Sequence, residues 1–380
     1  MTRKRVLYTN FHTHEGGGHD TFLPRMAEYF SATCEVLVVC PPTSVLFRRC
    51  RERGLAVAPC DFLPKLHSLG RFWRSCRQFA RVVRSFRPDL VHSNGGNDNT
   101  IVALVKTLTR PRFLLVRSHH ALRAIHRDLY HYWLYNRAVD ANHYASETAM
   151  RLAHAQGLRP RQSWPIALGI DTDAFAPRPR DPALAASLGI EPGEWVFGTS
   201  AGLSPYKRVD VMLEACAGLR DRYKFKVLAL GAAWQKAELD GWVQKYGMAD
   251  RFVYAGWHED VRPYVALFDV GFLLSDRIET LSYASREMLA MGKPLLSSSF
   301  SGLAENVRDG VNGLLVPPGD AGATRAAAER FLTTPAGEKL GMAERARADA
   351  VARFSVRTQL ARFAELYERL WGTRGSASRG

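Results

Sequence analysis

Apolar residues along this chain alternate between two patterns. Short continuous runs rich in Val, Leu and Phe are separated by longer stretches in which apolar positions recur every three or four residues. The runs predict buried strands and the stretches predict helices. In the first half strands are predicted at 6–11, 35–40, 55–60, 89–93, 113–117, 142–145 and 164–168. The second half repeats the alternation, with strands at 195–199, 225–230, 252–255, 270–274, 295–298 and 313–316. Strands joined by helices of this length pair in parallel through right-handed crossovers. The fold expected is α/β, with two doubly wound domains whose parallel sheets face a cleft. Domain boundaries follow from Pro177, Pro179 and Pro182, which mark 169–182 as a linker. The expected division is residues 1–168, the linker, residues 183–354, and a terminal helix at 355–372 returning to the first domain. The Gly/Ser-rich tail at 373–380 is expected to be disordered.

Length supports two cores, since 380 residues exceed one ordinary domain. No run is long and apolar enough for a membrane span, and the start lacks a signal-peptide core. Six scattered cysteines without a CxxC suggest free thiols in a reducing cytosol. The net charge of +15 is unevenly spread. Residues 1–170 hold 25 Lys/Arg against 11 Asp/Glu, whereas residues 171–380 hold 27 against 26. The first domain therefore carries nearly all the excess, which points to an anionic partner there. Arg71, Arg74, Arg77, Arg81 and Arg84 line one side of a predicted helix, with Phe72, Phe79, Val83 and Phe86 on another. Such a helix can lie on an acidic membrane surface or simply cover a sheet with a solvated basic face.

Candidate chemistry concentrates where strands end. Glu279 follows the 270–274 strand, and Glu287 lies about two turns into the next helix. Free backbone N–H groups around Leu281, Ser282 and Tyr283 make an anion site between the two carboxylates, which accept hydrogen bonds from hydroxyls. Phosphate flanked by hydroxyls describes a nucleotide sugar. Lys207 and Arg208 stand where another helix begins, a poor place for cations unless an anion is near; two exposed surface cations are the alternative. In the first domain Gly16, Gly17 and Gly18 follow the first strand, permitting close backbone approach to a ligand or only a tight turn. Arg117, His119 and His120 follow the 113–117 strand, and Asn94 the 89–93 strand, as candidate contacts to a sugar or acceptor. His12, His14 and His19 show no pattern that completes a metal site. Asp171-Thr-Asp173 has the shape of a metal motif but sits in the linker and reads as a turn.

With these residues in place, the chain resembles the family-4 retaining glycosyltransferases of GT-B architecture. The resemblance spans most of the chain. It is carried by the Gly16–Gly18 loop, Arg117-Ser-His-His120, Gly169-Ile-Asp-Thr-Asp-Ala-Phe175 and Leu203-Ser-Pro-Tyr-Lys207. Its most specific stretch runs from Glu279-x7-Glu287 through Ala290-Met-Gly-Lys-Pro294 to Gly302–Gly319. It implies that Lys207 and the backbone at Leu281, Ser282 and Tyr283 hold the donor diphosphate. It further implies that Glu287 binds the ribose hydroxyls, Glu279 faces the transferred sugar, and His120 reaches its hydroxyls, with His119 as fallback. Gly17 and Gly18 would let the first domain's loop approach the ligands. The chain departs from the pattern at Gly202, where an arginine is usual, at Arg208, where a glycine is usual, at Gly231-Ala-Ala-Trp234, where a glycine-rich turn is common, and at Thr280-Leu-Ser282 in place of Gly-Phe-Gly.

The expected activity is transfer of a hexose-type sugar from a nucleoside-diphosphate sugar, such as a UDP-sugar, to an acceptor hydroxyl with retention. No metal or other cofactor is expected. The acceptor expected is an anionic glycolipid or saccharide of lipopolysaccharide type, at the cytosolic membrane face. A nucleotide-sugar epimerase or phosphorylase on the same fold is the alternative. A basic nucleic-acid-binding protein is a weaker one, because no nucleic-acid motif is present.

Overall fold

Every run read as a strand forms one, and every strand pairing in the two sheets is parallel. The computed structural model describes residues 3–13, 19–63, 69–120, 128–232, 236–277, 279 and 281–377. It divides into two units: Met1–Ile166 with Leu360–Gly380, and Ala167–Gln359.

The first unit holds β1 (Arg5–Thr9), β2 (Glu35–Cys40), β3 (Val57–Pro59), β4 (Leu90–Ser93), β5 (Leu114–His119), β6 (Ala141–Tyr144) and β7 (Ser163–Pro165), in the order β3-β2-β1-β4-β5-β6-β7. Its helices are α1 (His19–Ser31), α2 (Val45–Glu52), α3 (Leu69–Phe86), α4 (Gly96–Thr109), α5 (Leu129–Asn136) and α6 (Glu147–Ala155). The second unit adds α7 (Pro182–Ser187), β8 (Trp195–Thr199), α8 (Val209–Ala217), β9 (Phe225–Leu230), α9 (Lys236–Lys245), β10 (Phe252–Gly256), α10 (Arg262–Ala266) and β11 (Val270–Leu273). It continues with α11 (Tyr283–Ala290), β12 (Leu295–Ser298), β13 (Gly313–Val316), α12 (Ala321–Thr333) and α13 (Ala336–Phe354). Its sheet order is β10-β9-β8-β11-β12-β13. The strands are buried on both faces, which is why they read as continuous apolar runs. In each sheet the winding reverses beside the unit's first strand, between β1 and β4 and between β8 and β11. Open α/β sheets bind ligands at such reversals, beyond the carboxyl ends of the strands.

Two boundaries differ from the sequence reading. Segment 169–182, expected as a linker, is bonded into the second unit. Ile170 N donates to Phe354 O at 2.8 Å, and Val356 N donates to Ile170 O at 2.9 Å. Arg347 Nη1 donates to the carbonyls of Thr172 and Phe175. Prolines restrict this segment without freeing it, because its carbonyls find donors on α13. The final helix, α14 (Val356–Ala377), runs into the stretch expected to be disordered, with Thr373 Oγ1 donating back to Leu370 O. Propagating a formed helix fixes only one more residue per bond.

From Leu360 on, α14 belongs to the first unit, where Phe363, Leu366 and Tyr367 are fully buried. Each such side chain contributes about 1.5–3 kcal/mol by burial. Beneath them runs a buried polar chain that the sequence did not announce. His143 Nε2 donates to Ile166 O at 2.9 Å, so its Nδ1 accepts from Ser118 Oγ at 2.7 Å. Ser118 Oγ in turn accepts from His92 Nε2 at 2.7 Å, leaving His92 Nδ1 to accept from Tyr367 OH at 2.6 Å. With both imidazoles neutral, the state their burial favours, one proton arrangement satisfies all four of these bonds.

Burial pushes the His143 imidazole down to about 4, and burial, then the proximity of His143, lowers His92 well below its ordinary value. Unfolded histidines take up protons near pH 6.5, so the unfolded state binds more protons than the native one below that pH. The contribution is therefore complete above about pH 6.5 and is lost as pH falls toward about 4, by up to ~1.4 kcal/mol per pH unit for each histidine. Denaturant melts between pH 7 and 4.5 should show this slope, and His143→Gln should reduce it by about one proton. An unchanged slope in that variant would contradict the buried neutral chain.

Candidate functional site

Lys207 and Glu279 come from the two strands that flank the winding reversal of the second sheet. Lys207 ends a single 3-10 turn, Pro205–Lys207, after β8, and Glu279 lies on the loop after β11. The two form an ion pair in which each side chain is only 11% exposed. Ser275 Oγ donates to the same Glu279 oxygen at 3.3 Å, and the Lys207 ammonium lies 5.0 Å from the Tyr206 ring centroid. The residues assigned to the phosphate and the sugar are thus bonded to each other. A pair this enclosed loses several kcal/mol if one partner is removed and the other stays buried, about 3–5 kcal/mol. It fixes the ammonium in place before any ligand arrives.

Arg208 follows in the left-handed region at φ 55°, where glycine is ordinarily favoured. Its guanidinium is anchored by Asp210 at 3.0 Å and by Asp276 at 2.6 Å. Those hydrogen bonds, Asp210 first, raise its pKa further above the ordinary arginine value. Asp276 Oδ1 is buried and accepts no hydrogen bond from the described residues, with Arg277 Nε 3.8 Å away. Arg208 therefore ties the loop after β8 to the loop after β11. Gly202, another departure from the family pattern, is also left-handed at φ 77°. A Cβ added at Gly231 would come within 2.6 Å of its Cα. Backbone conformation explains that glycine, because any side chain at 202 would be strained.

The start of α11 is held by a buried network. Ser282 is its N-cap at φ 53°, and its Oγ accepts from Ser285 N. Asn306 Nδ2 donates to Leu281 O at 2.6 Å and to Ser285 Oγ at 2.8 Å. Asn306 Oδ1 accepts from Arg286 Nε at 2.9 Å, while Arg286 Nη1 donates to Leu168 O at 2.6 Å. Arg286 is 2% exposed and stacks on Phe354, with its guanidinium carbon 4.3 Å from the ring centroid. Burial lowers its pKa to about 9, which leaves it charged at neutral pH. At the other end Gly292 is left-handed. Its N–H bonds Leu289 O, and the next N–H bonds Met288 O, a pairing that closes the helix.

Glu287 lies one turn inside α11. Its carboxyl is largely enclosed, and burial alone pushes its pKa up to about 7. It accepts no hydrogen bond from any described residue. Such a group is poised to accept hydrogen bonds from a ligand's hydroxyls.

In the first unit, His119 and His120 separate. His119 is the last residue of β5; its ring stacks on Tyr144 at 4.8 Å and its Nε2 bonds Asn142 Oδ1 at 2.7 Å. Burial, and then Arg117, lowers its pKa well below the ordinary value. Arg117 is itself buried, donating to Gly95 O at 2.8 Å, with its guanidinium carbon 5.0 Å from the Tyr135 ring centroid. These contacts commit Arg117 and His119 to the interior of the unit. His120 is the first residue beyond the strand, and its Nε2 lies 3.2 Å from Asn94 Oδ1. Asn94 gives both amide hydrogens to the carbonyls of Thr9 and His92, so His120 is the donor in that bond. The sequence reading missed Asp98, which is fully buried in the first turn of α4. It accepts from Thr9 Oγ1 at 2.6 Å and from the backbone of Asn94 and Gly95. Asp98 thereby shapes the loop after β4. Gly17 and Gly18 lie outside the described residues.

Asp171 behaves as a turn residue, its Oδ1 accepting from the N–H groups of Asp173 and Ala174. In α3 the residues Phe72, Cys76, Phe79 and Val83 are buried, and the arginines at 71, 74, 77, 81 and 84 are exposed, together with Leu69 and Trp73.

Two family models match the chain. One, described as glycosyl transferases group 1, covers residues 195–334, and the other, a glycosyl transferase 4-like domain, covers residues 17–169. The lipopolysaccharide core biosynthesis glycosyltransferase LpsE of Rhizobium meliloti is 32% identical over 149 residues, 39% of this chain and 42% of that protein. The matched stretch spans about two fifths of the length of such curated relatives. Among solved structures, Anabaena Alr3699/HepE in complex with UDP superposes with a TM-score of 0.80 at 20% identity, covering 96% of this chain and 100% of that one. A glycosyltransferase from Rickettsia africae gives 0.84 at 14% identity, covering 98% and 99%. The parallel strand orders, the two matched domains and these superpositions agree, and the chain belongs to the group 1, family-4-like glycosyltransferases with the GT-B fold.

Proposed function

We propose that this protein transfers a hexose-type sugar from a nucleoside diphosphate, UDP in the simplest case, to a hydroxyl of an anionic glycolipid or saccharide, with retention at the anomeric carbon. One observation supports this above the rest. At the carboxyl edge of the second sheet a paired lysine and an anchored arginine follow β8, and the helix after β11 carries a glutamate whose carboxylate has no hydrogen-bond partner among the described residues. Lys207, Arg208 and the first N–H groups of α11 supply positive charge for a departing diphosphate, where electrostatic stabilisation is worth most. Glu287 accepts from the ribose hydroxyls. A ligand phosphate takes over part of the Lys207 charge, which turns Glu279 toward the sugar. The acceptor hydroxyl attacks the anomeric carbon on the face from which the phosphate leaves. Its proton passes to the departing phosphate oxygen. Neither glutamate acts as nucleophile, and this arrangement uses no metal. His120, oriented by its bond to Asn94, reaches a hydroxyl or the reacting face of the sugar.

The UDP carried by the HepE structure is what that protein binds, and it suggests the donor class here. The LpsE relative suggests a lipopolysaccharide-type acceptor. The exposed arginines of α3, with Leu69 and Trp73 at its start, suit an anionic membrane surface. No described helix is long and apolar enough to cross a membrane. A position at the cytosolic membrane face follows from this proposal.

Lys207→Ala and Glu287→Ala should each lower transfer by about 10²-fold or more while the protein remains folded. Unchanged turnover in either would sink the site assignment. Because hydroxyl donors favour the charged form of Glu287, UDP binding should release protons, and affinity should fall as pH drops below about 7. Calorimetry in two buffers of different ionisation heat measures that release, and none would contradict the ribose contact. Vesicles containing anionic lipid should sediment the protein, and Arg74→Glu, Arg77→Glu and Arg81→Glu combined should abolish this. Equal sedimentation with neutral vesicles would remove the membrane surface from the proposal.

A further inference from the structure

Asp98 binds the strand ends of the first unit to one another. It stands in the first turn of α4 and is fully buried. An acid at that position ordinarily bonds back to the N-cap N–H and faces water. Asp98 does accept from Gly95 N, but at 3.3 Å this is the longest of its three bonds. The shorter ones come from Thr9 Oγ1 at the end of β1, at 2.6 Å, and from Asn94 N, at 3.1 Å. All three donors meet the same oxygen, Oδ2. The peptide they hold is gripped from its other side too. Gly95 O accepts from Arg117 Nη1 at 2.8 Å, and a Cβ added to Gly95 would stand 2.3 Å from Phe11 Cδ1. The loop after β1, the loop after β4 and the end of β5 therefore converge on the Asn94–Gly95 peptide.

That peptide carries the Asn94 side chain. Its amide hydrogens go to Thr9 O and His92 O, at 3.3 and 3.1 Å, and its Oδ1 accepts from His120 Nε2 at 3.2 Å. A neutral imidazole that donates through Nε2 has an acceptor at Nδ1, so this bond decides the tautomer of His120. A carboxylate suits the task because one charged oxygen takes several donors at once, and such bonds are the stronger kind. We propose that Asp98 is a positioning residue for sugar transfer: by fixing the Asn94–Gly95 peptide it sets where the His120 ring stands and which of its nitrogens donates. It rests on the reading that His120 reaches the sugar. Asp98 is fully buried and acts through His120, not on the ligand.

Nitrogen NMR on the full chain carrying isotope-labelled histidine reads the ring directly, with the His120 signals assigned by their loss in His120→Gln. Under alkaline conditions the wild type should show the Nε2–H form alone; the Nδ1–H form would overturn the proposal. Asp98→Ala should mix the two forms and lower turnover about ten-fold or more at unchanged KM. Asp98→Asn, which keeps an acceptor oxygen, should recover most of both. Turnover is read as UDP released from UDP-glucose, UDP-galactose or UDP-N-acetylglucosamine, whichever the wild type consumes fastest. In the His120→Gln background Asp98→Ala should cost nothing further. A full additional loss there, or wild-type ring form and turnover in Asp98→Ala, would overturn the proposal. If Asp98→Ala does not fold, Thr9→Val removes the shortest bond to the carboxylate and should lower turnover about three-fold, again only when His120 is present. Wild-type turnover in His120→Gln, with the ring forms mixed by Asp98→Ala, would instead count against the sugar contact alone. Consumption of none of the three donors would count against the donor reading, and the ring forms would then decide.

Discussion

The buried guanidinium of Arg286 is the constraint on which the second unit's site depends. It sits inside the unit with no described carboxylate bonded to it, held by a carbonyl, the Asn306 side chain and the face of Phe354. Burying a charge in this way is tolerable only if its donors are met. Meeting them fixes Asn306, and Asn306 then fixes Leu281 O and Ser285 Oγ, the first turn of α11. The left-handed backbone at Ser282 persists because this network over-determines it. A helix start held so firmly presents its N–H groups in one arrangement, which is what pre-organised binding of a phosphate needs.

A second constraint is topological. Each sheet reverses its winding beside its first strand, and several of the candidate residues follow the two strands flanking that reversal, whereas Arg117, His119 and His120 lie on or just after β5. In the second unit these are Lys207 and Glu279; in the first they are the residues after β1 and β4, including Asn94. The Lys207–Glu279 pair and the Arg208–Asp276 pair both join the loop after β8 to the loop after β11. Charge pairing therefore closes the edge that the topology leaves open. The same pairs hold the cations in place, so on the proposed function a phosphate would exchange partners there rather than order free side chains. Arg208 stands where the family pattern has glycine, and its two carboxylates explain how a left-handed arginine is retained.

The strands were legible because parallel strands buried on both faces have nothing polar to interrupt them. The positions of Lys207 and Glu279 were legible from strand ends, Glu287 from the helical period after Glu279, and the turn at Asp171 from its Asp-Thr-Asp run. The histidine register was not, since alternation along β5 decides which ring turns inward, and sequence spacing left 119 and 120 equivalent. Arg286 was hidden by its charge, which reads as solvent-facing on a short helix. Asn306 lay inside the quoted Gly302–Gly319 motif, but its bonds reach back twenty residues or more, and no local period reports that. The His92–Ser118–His143 chain was invisible for the same reason: its members come from three strands. Proline content misled at 169–182, where the backbone's partners lie on distant α13.

On the proposed function, the network around Asn306 sets the start of α11 that receives the donor phosphate. Asn306→Asp retains an acceptor for Arg286 Nε and removes the donor to Leu281 O. Titration calorimetry with UDP measures the consequence directly. A loss of affinity of about ten-fold or more, with the far-UV spectrum and cooperative melting preserved, is the predicted result. Wild-type UDP affinity in that variant would contradict the account.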